Sequence, residues 1–310
     1  MLMKLADHAG KILAELAYAD PRIFVLDGDL ADSDGAIHFA QRHPQRFLMA
    51  GIAEQNMVSV AAGMAEAGMR PAVFSFAAFL CYRAYDQIRI CLSQANQPVM
   101  LIGSHAGGLL GRNGKTHAAV NDLAVMLSLP EMQVWAPADW ADVELAITHS
   151  LLDSAPSYIR LPRRQFEEAT HLPGIAAGSR WLRPRQRVCI VSTGLATHWA
   201  MAAAELLAGR GLSIGLLHCA QLKPALQWQE ELASADLIVS IEDHSRFGGL
   251  GALIDRLHLP AARLTLGWPE EFGGKSGPDD ELLDYYGLSP ERIAQAIEAR
   301  VRQPATINHS

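Results

Sequence analysis

The chain has 310 residues, half of them hydrophobic and only 19% charged, a composition that packs into cores and leaves room for two domains of ordinary size. A net charge of −7 excludes nucleic acid as the main partner, because phosphate contacts need a basic surface. No apolar run approaches the ~20 residues of a bilayer span, and the N-terminal MLMKLADHAGKILAEL reads as an amphipathic helix rather than a secretory leader, which makes the cytoplasm the expected compartment.

In chain order, short apolar runs at 23–26, 71–76, 99–103, 133–136 and 157–161 read as strands. Between them, 53–68, 78–94, 118–128 and 138–152 place apolar residues at steps of three and four and read as helices. This alternation predicts a mainly parallel sheet with helices on both faces. Residues 173–179 lack periodicity and read as a linker. The rhythm then restarts, with strands at 188–192, 213–217 and 237–241 and helices at 196–209 and 249–257. The expected fold class is therefore α/β, with two doubly wound domains over 1–172 and 180–310. The four cysteines are far apart and form no Cys-x-x-Cys pair, so they read as small buried side chains, neither zinc ligands nor a disulfide framework.

Ligands of open parallel sheets bind outside the carboxyl ends of the strands. Polar residues just past those ends are the candidates: 27–33, 75–82, 103–117 and, in the second half, Glu242-Asp243-His244. Glu54, in Gly51-Ile-Ala-Glu54-Gln55, opens a helix, where the dipole favours a carboxylate. It is either simply a helix-start acid or a desolvated carboxylate facing a ligand, since the helix after it is almost wholly apolar. Phe76, Phe79 and Tyr82 step by three from a strand end, a spacing that suits core aromatics and also a cradle for a flat heterocycle. Arg160, near another strand end, suits a solvated basic patch or an anion clamp.

The stretch GGLLGRNGKTH at 107–117 has the look of a phosphate-binding P-loop, but its spacing excludes one. Counting back from Gly114-Lys115-Thr116, the first glycine of that motif falls on Leu109. Two histidines, His105 and His117, bracket the loop, with Asn113 between them. Without an adjacent Asp or Cys, hydrogen bonding to an oxygen-rich substrate is favoured over a metal site.

These pieces, in this order and over nearly the whole chain, resemble the C-terminal portion of transketolase, a pyrimidine-binding domain followed by a C-terminal domain. The most specific parts are Gly51-Ile-Ala-Glu-Gln55, the Phe76/Phe79/Tyr82 spacing and Gly103-Ser-His-Ala-Gly…Asn-Gly-Lys-Thr-His117. Leu129-Pro-Glu-Met…Trp-Ala-Pro-Ala-Asp139 and Glu242-Asp-His…Gly-Gly-Leu-Gly251 are also similar to the family. The resemblance implies thiamine diphosphate and Mg²⁺ as cofactors and transfer of a two-carbon ketol unit. It implies that Glu54 bonds the aminopyrimidine ring nitrogen and that Phe76, Phe79 and Tyr82 cradle that ring. It further implies Asp29 and Leu30 beside the thiazolium, His105 and His117 on the sugar carbonyl and hydroxyls, and Ser33 and Arg160 on a substrate phosphate. The family's second domain mainly builds subunit contacts, which gives Glu242–Gly251 a structural reading.

Two features depart from the family pattern. Asn113 stands where transketolases carry an Asp that reads a substrate hydroxyl, which unsettles the usual sugar-phosphate preference. The family's Gly-Asp-Gly…Asn signature for diphosphate and Mg²⁺ is missing, and Asp27-Gly-Asp29 is the wrong permutation. A cofactor held by its pyrimidine alone lacks its metal–diphosphate anchor. The expected partner is therefore an N-terminal transketolase subunit that carries the diphosphate and Mg²⁺ site, in an α₂β₂ assembly. Rival expectations are a deoxyxylulose-phosphate synthase-like chain, the β subunit of a 2-oxoacid dehydrogenase, and a non-catalytic relative of the same fold.

Overall fold

The computed structural model describes residues 2–167, 171–225, 228–271 and 275–302; Met1 and 303–310, at the outer edges of the two expected domains, lie outside the described residues. Helix α1 (Leu5–Ala19) buries Leu5, Ala6, Ala9, Leu13 and Ala17 along one stripe, the three-and-four spacing of an amphipathic helix. It leads to strand β1 (Ile23–Asp27) and on to β2 (Phe47–Met49), helix α2 (Glu54–Glu66), β3 (Arg70–Phe76) and β4 (Met100–Ala106). Helix α3 (Asp122–Leu127), β5 (Gln133–Trp135), α4 (Trp140–Leu152) and β6 (Ser157–Pro162) follow. Every residue of β4 and β6 is buried, as expected of strands covered by helices on both faces.

The second half contributes β7 (Ser179–Arg183), β8 (Val188–Ser192), α5 (Ala196–Gly209), β9 (Gly215–Cys219), β10 (Gln221–Lys223), β11 (Leu237–Ser245), α6 (Leu250–Asp255), β12 (Ala262–Trp268) and α7 (Pro290–Arg302). Two large sheets result. The first has the order β10-β5-β6-β4-β3-β1-β2 and is parallel except for β10; the second has the order β12-β11-β8-β9-β7 and is parallel except for β7. Strand β10 comes from the second half of the chain yet closes one edge of the first sheet. No helix among the described residues is long and apolar enough to cross a membrane.

Three local expectations change. The helix expected at 78–94 is built of π-helical turns at Phe79–Arg83 and Ile88–Gln94 around a short α turn. The helix expected at 118–128 shortens to α3, because Ala119 is tied back to Gly107 by a pair of backbone hydrogen bonds. The strand expected at 213–217 starts later, at Gly215.

The first sheet changes winding direction between β1 and β3: the chain leaves β1 toward β2 on one side, and leaves β3 toward β4 on the other. Such a switch point opens a crevice at the carboxyl ends of the two strands. Here those ends are Asp27 and Phe76.

Candidate active site

The residues just past β1 form a tight turn. Asp27 Oδ1 accepts the Leu30 N–H at 2.8 Å, and Asp29 is held at φ +70°, a left-handed conformation that non-glycine residues seldom adopt. The turn ends in a short helix from which buried Asp34 points inward and its Oδ1 accepts the Ala36 N–H at 3.2 Å. Burial pushes the Asp27 carboxyl above its usual range, and burial together with the Asp27 charge pushes Asp34 well above it. Ser33 lies half-buried on the rim, and its carbonyl accepts from the Lys4 ammonium. Lys4 arrives there because Leu2–Lys4 pairs antiparallel with Gln165–Glu167.

Across the switch point, Glu54 opens α2 and is fully buried. Its Oε2 accepts from Arg83 Nη1 at 2.5 Å, while its Oε1 has no hydrogen-bond partner among the described residues. The Arg83 guanidinium lies 4.8 Å from the Phe79 ring centroid. Phe79 stacks on Phe76 at 5.8 Å, and Phe76 stacks on His105 at 3.9 Å. His117 meets Phe76 and Phe79 edge-on at 6.0 and 5.1 Å. Arg83 thus links the buried carboxylate to a cluster of two phenylalanines and two histidines.

His105 sits near the carboxyl end of β4 at φ +54°, with Nδ1 3.2 Å from Ser104 Oγ. Burial, then the charges of Lys4, Arg163 and His117, lower its pKa to about 3. Its ring is therefore neutral at physiological pH, able both to donate and to accept. His117 is half-buried, with Nδ1 2.9 Å from Thr116 Oγ1, and Asn113 is exposed at the loop tip.

Two expected side chains are placed elsewhere. Tyr82 makes no ring contact with Phe76 or Phe79 among the described residues; it is 44% exposed and its hydroxyl accepts the Asn121 N–H at 3.1 Å. The cause is the π-helical turn, whose i→i+5 bonding abolishes the three-residue step and brings Arg83 over Phe79 instead. Arg160 is corrected more firmly. It is 3% exposed, donates from Nε to Asp122 at 2.8 Å and from Nη2 to the Asp243 carbonyl at 2.6 Å, and so has no free face for a phosphate. The cations at the crevice mouth are instead Lys4 and half-buried Arg163, which donates from Nε to the Leu109 carbonyl at 3.3 Å. Arg83, Lys4 and Arg163 are the site residues that sequence reasoning missed. Only the adjacent Arg163-Arg164 pair offered a signal.

Glu54 Oε1 is the observation that tests a cofactor here. A buried carboxylate oxygen without a partner is uncommon and costly, and it calls for a donor from a bound molecule. On a carboxylate that Arg83 links to the stacked phenylalanines, that position suits the edge of a flat nitrogen heterocycle, which is what the pyrimidine of thiamine diphosphate presents. The residues present fit that group.

A buried carboxylate and an aromatic cluster near the switch point of a parallel sheet place the chain among doubly wound α/β proteins with a ligand site at that end. The chain belongs to the transketolase family: the family model for the transketolase pyrimidine-binding domain matches residues 3–168, and that for the transketolase C-terminal domain matches 178–293. It is 35% identical over 307 residues to a putative transketolase C-terminal section of Methanocaldococcus jannaschii, covering 95% of both chains. It is 34% identical to a 6-deoxy-6-sulfo-D-fructose transketolase subunit of Clostridium sp. (strain MSTE9), covering 94% of this chain and 92% of that one. A solved structure described as a split gene transketolase, inactive β4 tetramer, superposes with a TM-score of 0.84 at 32% identity and covers 96% of this chain and 97% of that one.

Proposed function

We propose that this chain is the C-terminal subunit of a two-chain transketolase that moves a two-carbon ketol unit from a ketose to an aldose. The observation that carries the reading is the fully buried Oε1 of Glu54, unpartnered among the described residues, on a carboxylate that Arg83 links to the Phe76–Phe79 stack. When bound, thiamine diphosphate supplies an electron sink that neutral side chains cannot provide.

The protein's own residues do the rest. Glu54 holds a proton against the pyrimidine nitrogen, and Arg83 fixes the carboxylate by taking its other oxygen. Phe76 and Phe79 fix the plane of the ring and keep water off it. Asp29 and Leu30 present the turn after β1 to the thiazolium side. His105 and His117 bond the substrate carbonyl and hydroxyls and stabilise charge that develops on oxygen. Asn113, at the exposed loop tip, meets the distal hydroxyls. An anionic substrate end meets Lys4, Ser33 and Arg163, and the charges of Lys4 and Arg163 converge on His105. A sugar phosphate and a sugar sulfonate both present that chemistry, and one close relative is named for a sulfonated sugar.

Diphosphate and Mg²⁺ are assigned to an N-terminal partner subunit in an α₂β₂ assembly, because this sequence has no Gly-Asp-Gly signature. Relatives of matching length, one a C-terminal section and one described as an inactive β4 tetramer, support that division. The test is a ketol-transfer assay with thiamine diphosphate and Mg²⁺ on this chain alone, the partner alone, and both mixed. Transfer only in the mixture is expected. Robust turnover by this chain alone overturns the two-chain reading, and pyruvate consumption with release of carbon dioxide overturns the transketolase one.

A further inference from the structure

The loop that carries the two histidines is pinned by a residue from the other sheet. Asp243, on β11, is 1% exposed and buries its carboxylate against the backbone of the glycine loop. Its Oδ1 accepts the Gly108 N–H at 3.1 Å and the Trp268 Nε1–H at 2.7 Å. Its carbonyl accepts from Arg160 Nη2 at 2.6 Å, and Arg160 in turn holds Asp122, the first residue of α3. The fit is tight from the loop side as well. A Cβ built on Gly107 would stand 1.9 Å from Asp243 Oδ2, and one on Gly108 would stand 2.5 Å from the Trp268 indole. Only glycine lets the loop backbone approach this closely, and Gly107 also needs its φ of +92°.

The grip reaches both histidines. Gly107 follows His105 by two residues. Gly107 and Ala119 exchange backbone hydrogen bonds at 3.0 and 3.2 Å, which closes the loop two residues beyond His117. His105 itself sits at φ +54°, a strained conformation that persists only where its surroundings enforce it. The surroundings here are the Asp243–Gly108 bond on one side and the Phe76 stack on the other.

We infer that Asp243 is a positioning residue for the ketol-transfer site: it sets, from the second domain, the placement of His105 and His117 against the Phe76–Phe79 wall. This rests on the proposed transketolase reading and gives the second domain a part in the chemistry of the first. Asp243 touches no substrate. It acts through the loop backbone; burial raises its pKa to about 6, with Arg160 opposing the rise, so above that pH it is mainly a carboxylate, which bonds an amide about twice as strongly as a neutral acceptor does.

The test compares wild type, Asp243→Asn and Asp243→Ala in the assembled two-chain enzyme, with kcat and KM measured well below each variant's melting temperature. In parallel, the ring C2–H resonances of His105 and His117 are followed in each isolated chain. A graded series is expected: kcat falls about threefold for Asn, whose neutral oxygen still accepts, and on the order of 10- to 100-fold for Ala, the scale of a misplaced catalytic group. Substrate KM changes less than kcat, and both histidine resonances move in the same order. Variants with wild-type kcat and unmoved resonances overturn the inference. If Asp243→Ala does not fold, Asp243→Asn alone decides by the same criteria. A wild-type assembly that transfers nothing overturns the transketolase reading, while the resonance series still reports whether Asp243 places the loop.

Discussion

Glu54 and Arg83 lie 29 residues apart in sequence, yet Oε2 of one is 2.5 Å from Nη1 of the other, and the same guanidinium covers the Phe79 ring at 4.8 Å. The pair leaves the second carboxylate oxygen buried and without a hydrogen-bond partner among the described residues. Replacing Glu54 by Ala removes the carboxyl that shares a proton with a pyrimidine nitrogen. The expected loss in kcat of the assembled enzyme is on the order of 100-fold or more, the range of a lost acid–base group. The circular dichroism spectrum and the association with the partner subunit are expected to stay as they are. A Glu54→Ala enzyme with undiminished transfer contradicts the assignment.

The neutrality of His105 is open to direct measurement. Burial and nearby cations depress its pKa to about 3, against about 6.5 in an unfolded chain. The folded ring therefore stays unprotonated through pH 5–8, and its C2–H resonance is expected to hold its position across that range. A histidine that titrates near pH 6.5 would mean that the ring is solvated rather than stacked on Phe76. The linkage sign follows. Above pH 6.5 the folded and unfolded states hold the same ring charge; below it the unfolded chain takes up the proton that the fold refuses, and stability declines toward pH 3.

Much of this was readable beforehand because the physics is local. Strands β4 and β6 are apolar throughout since both of their faces are covered, so they read as continuous hydrophobic runs between helical periods. Glu54 stands out as an acid at the head of an apolar helix, and His105 and His117 as histidines around a glycine loop. The failures have non-local causes. Tyr82 was placed by α-helical spacing, which the π-helical turn breaks, and Arg83 took the position over Phe79. Lys4 reaches Ser33 only through the pairing of two three-residue strands far apart in the chain. Asp243 meets Gly108 across 135 residues, a contact with no signature in either segment.

The two carboxyls after β1 predict a stability gain from a single substitution. Asp34 has its folded pKa raised well above the unfolded value by burial and by Asp27. Its favourable contribution is complete below the unfolded pKa of about 3.9 and is lost as pH rises through the folded value. Asp34→Asn keeps a side chain of the same shape, offers Asp27 an N–H in place of the shared proton, and removes the second charge. Urea unfolding is expected to show the variant gaining on wild type as pH rises from 4 to 8. An advantage that shrinks over that range would mean that the carboxyls do not share a proton.

Arg160 lies inside β6 and is buried, whereas Arg163 follows the last residue of that strand and is half-exposed, so the two are predicted to fail differently. Arg160→Met breaks a buried ion pair, leaves the Asp122 charge to the Tyr158 hydroxyl, and takes the Arg160 donor from the Asp243 carbonyl. The expected cost is about 3–5 kcal/mol of stability, read as a lower urea midpoint, and the variant affects all substrates alike. Arg163→Ala removes a half-exposed guanidinium at the crevice mouth. It is expected to raise KM about tenfold for a phosphorylated or sulfonated ketose, as loss of a charge-assisted contact does, and to leave KM for an uncharged ketose and the urea midpoint nearly unchanged. Equal KM effects on charged and uncharged sugars would remove Arg163 from the anion end and leave Lys4 and Ser33 to hold it.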